Sequence, residues 1–457
     1  MDISLDAVIA MAPDDASVKA ARGLVSPEKW PLLGFDETAV WGACRGSGSK
    51  PYQVKIELSG PTCSCSCPSR KIPCKHALAL LMLCAGHAPL FTAAERPDWV
   101  AEWLDAHRQR AARQEEKKER RAEQAKADPA AAARREKARL ERIRGGLDEL
   151  ERWLCDQVQH GLSQLSGQYD VWDKLAARMV DAQAPGMAAR LRALGGIVDR
   201  GEEWPAVLLG KLGMLQLLID AFRHPERLSP REQADLRAAL GIVPDMGAVR
   251  DGTTTGAEHI EDIWHVLGVS HAEEDRLWRR RVWLYGRSSG RLALLLDFSH
   301  GSRQFEHLFS PGDTLRMNLA FHPGSAPLRA FALNAPEPVS PEPGKPLVTH
   351  KLPGSLPQAV SNTVEDALMS AARTLAANPW RLPLPLVFNG ARLCRRENEW
   401  ALLTDAGRVL PLDMTDNEAW ELLAESGGLP LFVCGEWDGA RLRIAGAFAH
   451  AQVKESV

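Results

Sequence analysis

The feature that most constrains this chain is a run of three cysteines and one histidine within twelve residues. Cys65 and Cys67 form a C-x-C pair, a six-residue loop follows, and Cys74 and His76 form a C-x-H pair. Three sulfur ligands and one imidazole are the donor set of a closed tetrahedral zinc site. Four protein ligands leave no position for a bound water, so the site is predicted to be structural rather than catalytic.

The residues around this run predict a small folded unit. Alternate residues of an extended strand face the same way, so Cys65 and Cys67 would present both thiols to one point. Residues 51–58 alternate as in a strand, and a glycine-serine turn leads back to a second strand at 40–44. The apolar run 77–83 predicts a helix. Its inward-facing residues are predicted to be Leu78, Leu81 and Met82.

The cysteine count argues against a disulfide framework. Nine cysteines is an odd number, and the chain has no signal peptide that would take it to an oxidising compartment. Buried core thiols explain the cysteines that stand alone, namely Cys44, Cys84, Cys155, Cys394 and Cys434. Cys63 also fits the strand alternation, so Cys63/Cys65 could replace Cys65/Cys67. The pair nearest the loop is favoured.

Length and composition predict a multidomain protein of the cytoplasm. At 457 residues the chain has room for about three domains, and 45% hydrophobic with 25% charged residues is an ordinary globular composition. The first six residues lack the basic region of a secretory signal. The apolar stretch 205–222 contains Lys211, Gln216 and Asp220, which argues against a membrane span. Thiols stay reduced in the cytoplasm and are free to hold zinc.

Charge is unevenly distributed along the chain. The net charge is −3, yet residues 108–144 contain 14 Lys/Arg and 7 Asp/Glu, so this segment carries +7 and the remainder −10. The segment is rich in strong helix formers but has almost no apolar stripe. It is therefore a solvated helix or a tether interrupted at Pro129. Two interpretations explain the segment 108–144 equally well. It could be a basic arm that contacts phosphates, or a charged connector between domains.

The fold class predicted for the whole chain is multidomain α+β. It comprises a zinc-clamped ββα finger, a charged helical linker, a helical domain and a C-terminal antiparallel β-rich region. In the second half, Asn389-Gly390 and Asp405-Ala406-Gly407 are expected to be hairpin turns. The predicted divisions are 1–105 (N-terminal domain, finger at about 51–90), 106–145 (charged linker), 146–245 (helical domain), 258–335 (β-rich region), 336–357 (proline-rich linker) and 358–457 (C-terminal α+β domain).

The C-x-C…C-x-H run resembles the SWIM zinc finger, and the segment SCPSRKIPCKHALALL is similar to the bacterial form of this finger. KPYQVKIELSG (50–60) and RMVDAQAPGMAARL (178–191) resemble segments of bacterial proteins with an N-terminal SWIM finger and a long helical and β region. The resemblance implies that Cys65, Cys67, Cys74 and His76 are the zinc ligands. It also implies DNA binding or protein interaction, with a MoxR-type AAA ATPase or a von Willebrand A-type protein as partner.

Two functions remain after a search for catalytic signatures. The chain has no G-x-x-x-x-G-K-[ST], H-E-x-x-H or G-x-S-x-G motif, so it is expected not to be an enzyme and to have no small-molecule substrate. The favoured function is a zinc-binding adaptor or scaffold for macromolecules, with no membrane partner. The alternative is a DNA- or RNA-binding protein in which Arg70, Lys71 and Lys75, with the basic segment 108–144, contact phosphates.

Overall fold

The computed structural model describes most of the chain between residues 5 and 449. Within that span it leaves out 47–49, 59–61, 70, 87, 111–112, 114–128, 255, 275–276, 301–302, 304, 340–359 and 405–406. Most of the predicted proline-rich linker 336–357, and the turn expected at 405–406, lie outside the described residues.

The N-terminal part is a five-stranded sheet with helices, which we call the zinc module. The sheet order is β4-β3-β2-β1-β5, with β1 and β5 parallel and the other pairs antiparallel. The strands are β1 (Leu32–Phe35), β2 (Ala39–Cys44), β3 (Tyr52–Glu57), β4 (Cys63–Cys65) and β5 (Thr92–Ala93), and the helices are α1 (Leu5–Ala10), α2 (Asp15–Arg22), α3 (Lys75–Gly86) and α4 (98–110).

Helix α3 is the centre of the zinc module. The nine residues 76–84 are all buried, so the helix has no solvent-facing side along this stretch. The predicted inward residues Leu78, Leu81 and Met82 are buried, but so are the residues between them. Helices α1 and α2 pack on α3 together with the sheet. A helix that is apolar all round needs such cover, and the minimal ββα finger could not have supplied it.

The middle of the chain is a helical bundle. Its main helices are α5 (Pro129–His160), α6 (Asp170–Asp181), α7 (Pro185–Gly195), α8 (Trp204–Arg223) and α9 (Pro230–Leu240), followed by the short α10 (Met246–Arg250). The predicted boundary between the charged linker and the helical domain, at residues 145 and 146, falls inside α5. A Cβ atom at Gly146 would lie 2.5 Å from the Cβ of Ala182, so this glycine permits close packing of α5 on the end of α6.

A closed β-barrel follows the bundle. It consists of β6 (Glu258–Glu274), β7 (Leu277–Gly286), β8 (Leu292–His300), β9 (Thr314–Phe321) and β10 (Arg329–Ala332), and β11 (Glu337–Pro338) pairs with β9 on its outside. Strand β10 pairs with both β8 and β9 and so closes the sheet on itself. Closure leaves no free edge between these strands. Strand β6 begins at Glu258, where the β-rich region 258–335 is predicted to start.

The C-terminal unit is an antiparallel sheet with two helices. Its elements are α11 (Val364–Ala377), β12 (Leu384–Arg396), β13 (Glu399–Leu403), β14 (Val409–Pro411), α12 (Asp416–Ser426), β15 (Leu431–Trp437) and β16 (Leu442–Ala449), in the sheet order β14-β13-β12-β15-β16. The hairpin turn predicted at Asn389-Gly390 is wrong. The register of β12 against β15 shifts between Phe388 and Ala391, and Gly390 (φ +77°) lies in this irregularity of one continuous strand.

The barrel and the C-terminal unit share a core. Trp283 and Tyr285 on the outer face of β7 are buried against Phe432 and Phe448 of the C-terminal sheet. The backbones also meet, because a Cβ atom at Gly446 would lie 2.2 Å from the carbonyl oxygen of Leu267.

A buried carboxylate fastens the same contact. Glu436 of β15 accepts hydrogen bonds from Trp283 Nε1 (2.8 Å), Arg281 Nη1 (2.8 Å) and Ser270 Oγ (3.1 Å) of the barrel. Each of its carboxylate oxygens therefore has a partner on the barrel, which makes the docking geometry specific.

Candidate metal centre

The end of β4 and the start of α3 bring four metal-binding side chains together. Cys65 is fixed opposite Val54 by the β3–β4 pairing, and Cys67 follows the strand. Cys74 immediately precedes α3, where its carbonyl accepts the Leu78 N–H at 3.0 Å, and His76 lies in the first turn. The sequence folds this way because the strand ends at the C-x-C pair and the apolar run begins at the C-x-H pair.

The four donor atoms lie close to the separations that a zinc ion requires. All of them lie within 4.8 Å of one another. The Nδ1 atom of His76 is 3.8 Å from the Sγ of Cys65 and 4.0 Å from that of Cys74. Tetrahedral ligands at about 2.0–2.3 Å from a zinc ion stand roughly 3.3–3.8 Å apart, so small movements suffice to coordinate it. This is the only such group found in the part of the chain that the structure describes.

The electrostatics of the site favour a bound cation. A hydrogen bond from Cys65 lowers the pKa of Cys74 to about 4, and the same contact raises the pKa of Cys65. Burial raises the pKa of Cys67. Three thiolates this close repel one another, and a divalent ion removes that penalty by coordinating all three. His76 is buried and its ring lies 4.8 Å from the ring of Tyr52, which holds its orientation.

The structure separates the zinc ligands from the other cysteines. Cys63 is buried in the apolar core of the zinc module and lies outside the ligand group, so the pair nearest the loop is the one that reaches the site. Cys44, Cys84 and Cys434 are buried, as predicted. Cys155 is exposed on α5, so its prediction as a core thiol was wrong, and Cys394 is half-buried.

The predicted nucleic-acid contacts are only partly visible. Arg70 lies outside the described residues. Lys71 forms an ion pair with Asp14 of α2 at 2.6 Å, and Lys75 is exposed at the start of α3. Much of the basic segment 108–144 is also outside the described residues. Its final part is the beginning of α5, where Glu136 pairs with Arg237 of the bundle.

An open groove of about 570 Å³ runs beside the zinc site, and we call it the zinc-loop groove. The metal-binding loop forms one wall and α2 the other. Sequence reasoning missed it because α2 is distant in the chain. Its lining residues are Ala16, Ser17, Ala20, Leu24, Arg45, Gly46, Tyr52, Cys67, Pro68, Ser69, Lys71, Lys75 and His76.

The closed Cys₃His site on a sheet and helix defines a zinc-binding protein of the structural zinc-finger class. Residues 52–85 match the family model of the SWIM zinc finger, and residues 138–240 match that of the SWIM-associated four-helix bundle domain. The chain thus contains a SWIM zinc finger, in which Cys65, Cys67, Cys74 and His76 are positioned to bind zinc, and a SWIM-associated helical bundle. Searches of curated proteins and of solved structures found no match.

The second matched domain contains a long apolar helix. By length and composition α8 could cross a membrane. Its residues Leu208, Leu212, Leu215, Leu218 and Ile219 are buried in the core of the bundle. Val207, Leu209 and Leu217 of the same helix are exposed, so only one side of α8 packs in the core.

Proposed function

We propose that this protein is an adaptor whose zinc-loop groove binds an acidic, partly apolar segment of a partner protein. The observation that carries the proposal is the groove itself, which the zinc-binding loop walls on one side. SWIM zinc fingers are in general modules of macromolecular interaction. In this proposal zinc fixes the shape of a binding surface and the chain catalyses no reaction.

The groove lining supports a protein ligand. Ala16, Ala20, Leu24 and Pro68 contribute apolar surface that a sugar-phosphate backbone does not use. Such surface suits the aliphatic side chains of a peptide, since apolar contacts at the centre of an interface supply much of the binding energy.

The cations of the groove predict the charge of that ligand. Arg45 and Lys75 lie on the groove with no acidic residue among its lining. Lys71 is already paired with Asp14, which reduces the positive field it offers to solvent. Two available cations suit a segment with a few carboxylates better than a long run of phosphates.

Nucleic acid is the second candidate function. The observation that favours it is the same pair of cations, Arg45 and Lys75, beside the exposed loop. In that case affinity should fall steeply with salt concentration, because bound phosphates release counterions.

Fluorescence anisotropy on the full, zinc-loaded chain tests both candidates. The probes are an acidic peptide with alternating Asp and Leu, a peptide of the same composition with Lys in place of Asp, and 20-mer DNA and RNA. We expect the acidic peptide to bind. Lys75→Glu should abolish this binding by reversing a groove charge, and Ala20→Trp by filling the groove.

Lys19→Glu is the matched control, because Lys19 lies exposed on α2 and is absent from the groove lining. It should bind the peptide as the wild type does. Salt-sensitive binding of DNA or RNA without peptide binding would replace the adaptor by the second candidate. If no probe binds, both are wrong.

On the basis of the family resemblance, we propose that the partner is a MoxR-type AAA ATPase or a von Willebrand A-type protein. We propose that the two proteins meet in the cytoplasm. An acidic segment on such a protein would be the part that enters the groove. Crosslinking from a cysteine placed at Ser69, on the groove wall, should reach that segment in a purified mixture of the two proteins.

A further inference from the structure

The helical bundle, the barrel and the C-terminal unit meet around the segment 378–383, between α11 and β12. Arg190 of α7 donates from Nη2 to the carbonyl oxygen of Trp380 at 2.9 Å. The side chain of Trp380 packs against the bundle core. Asp235 of α9 accepts the Ser325 N–H of the β9–β10 loop at 2.8 Å and so joins the bundle to the barrel. We call this region the three-way junction.

The three-way junction contains an excess of buried positive charge. Arg190, Arg329 and Arg381 are largely withdrawn from water, and burial lowers the pKa of each guanidinium. Burial lowers the pKa of His322 to about 4, and the nearby charges of Arg329 and Arg381 add to this effect. The charge of Arg329 also lowers the pKa of Arg381. None of the three arginines forms an ion pair among the described residues. Asp235 is the one carboxylate that favours the charged form of Arg381.

Three hydrogen-bond donors in the junction are buried and have no acceptor among the described residues. They are Nε of Arg190, Nη2 of Arg381 and Nε1 of Trp380. A buried donor that lacks an acceptor costs free energy, and the cost is larger for a charged group. Nearly all buried polar groups in folded proteins have a partner, so three such donors in one junction indicate an acceptor that the described residues do not supply.

The chemistry of the missing acceptor follows from the charge. A water molecule would satisfy a donor but would leave the positive charge unbalanced. An oxyanion supplies both acceptor atoms and negative charge, and its oxygens match the planar fork of a guanidinium. We propose that the three-way junction binds a small oxyanion of phosphate size, held by Arg381 and Arg329 where the bundle, the barrel and the C-terminal unit meet. The bound anion then fastens the three units together.

Isothermal titration calorimetry with inorganic phosphate tests the proposal on the full, zinc-loaded chain after dialysis into phosphate-free buffer. We expect saturable binding of one phosphate per chain and a saturable rise of Tm relative to sodium chloride of equal ionic strength. Arg381→Gln should weaken phosphate binding about tenfold or more, because it removes a charge-assisted hydrogen bond. Arg329→Gln should weaken it as well, and it decides the matter if Arg381→Gln does not fold.

Arg373→Gln is the matched control, since Arg373 is an exposed arginine on α11, the helix that leads into the junction. It should bind phosphate as the wild type does. Phosphate also stabilises proteins by exclusion from their surfaces, but that effect does not saturate and is common to all variants. Absence of saturable binding in the wild type, or equal binding in the wild type and in a folded Arg381→Gln or Arg329→Gln variant, would overturn the proposal.

Discussion

The zinc module and the barrel reach a closed structure by different means. The barrel closes through backbone hydrogen bonds, because β10 pairs on both sides. In the zinc module, β4 is three residues long, and the chain from there to α3 is held by side-chain donors around one point. Both regions have an apolar core of their own. The metal therefore fixes one corner of the zinc module, whereas the barrel depends on no ligand for its closure.

The largest effect is expected from removing a zinc ligand. Cys74→Ser or His76→Ala should lose the metal and unfold the zinc module, because structural zinc contributes about 10–16 kcal/mol in zinc-finger peptides. Metal analysis should fall from one zinc per chain to none. Hydrogen exchange should increase in α3 and β4 while the strands of the barrel stay protected.

Two other cysteines serve as controls for this prediction. Cys155→Ser changes an exposed thiol on α5 and should keep one zinc and normal exchange. Cys63→Ser should also keep the zinc, although burial of a hydroxyl in the core will cost some stability. Full zinc content in Cys74→Ser, or loss of zinc in Cys63→Ser, would show that the ligand set is wrong.

A substitution in the barrel core should lower the stability of the barrel and leave the zinc content unchanged. Phe321 is fully buried, so Phe321→Ala should cost about 3–5 kcal/mol in the free energy of unfolding by urea, with zinc content unchanged. Phe298 is 52% exposed on the outside of β8, and Phe298→Ala should cost far less. Zinc loss in Phe321→Ala would mean that the two regions do not fold independently.

Acid should weaken the barrel because three of its histidines are buried in the uncharged form. Burial, with help from nearby arginines, lowers the pKa of His265 and His322 to about 4 and that of His271 to about 3. In the unfolded chain these histidines titrate near 6.5. Between pH 6.5 and about 4 the unfolded chain thus binds protons that the folded chain does not. Stability is full above this window and falls as the pH falls through it.

Urea denaturation at pH 7.5 and pH 5.0 measures this effect, at about 1–2 kcal/mol for each histidine. His271→Gln should reduce the loss of stability on acidification. His300→Gln, which changes an exposed histidine at the end of β8, should leave it unchanged. Because zinc release at low pH is common to all three proteins, the difference between them reports on the barrel. An identical pH dependence in the wild type and His271→Gln would contradict the assignment.

The smallest effect is expected at the edge of the zinc-loop groove. Lys71 and Asp14 form an exposed ion pair, and such pairs contribute little to stability. Lys71→Gln should therefore leave both the Tm and the zinc content unchanged. A large loss of Tm would mean that this ion pair, rather than the metal and the core, holds α2 against the loop.

The sequence predicted those parts of the structure that depend on local pattern. The zinc ligands were predictable because their spacing and donor types are themselves the signal. The helical domain predicted at 146–245 contains α6 to α9, whose apolar residues recur at helical spacing, and the β-rich region predicted at 258–335 contains β6 to β10. The finger and the helical bundle of the family comparison agree with these expectations.

The parts that could not be predicted depend on distant neighbours. Strand β6 contains several acidic residues and three histidines, so its sequence does not alternate clearly between apolar and polar residues. The residues on both sides of Gly390 belong to one strand because β15 pairs with both halves, which no local pattern reveals. The zinc-loop groove likewise needs α2 to pack beside a loop about fifty residues further along the chain.

The shared core of Trp283, Tyr285, Phe432 and Phe448 bears on how this chain can be divided. A fragment that ended before residue 360 would expose two large aromatic side chains of β7 to water, and we expect it to aggregate. Gly446 leaves no room for a side chain against Leu267, so a substitution there would force the two sheets apart. For expression and for domain exchange, we therefore expect the barrel and the C-terminal unit to be required together.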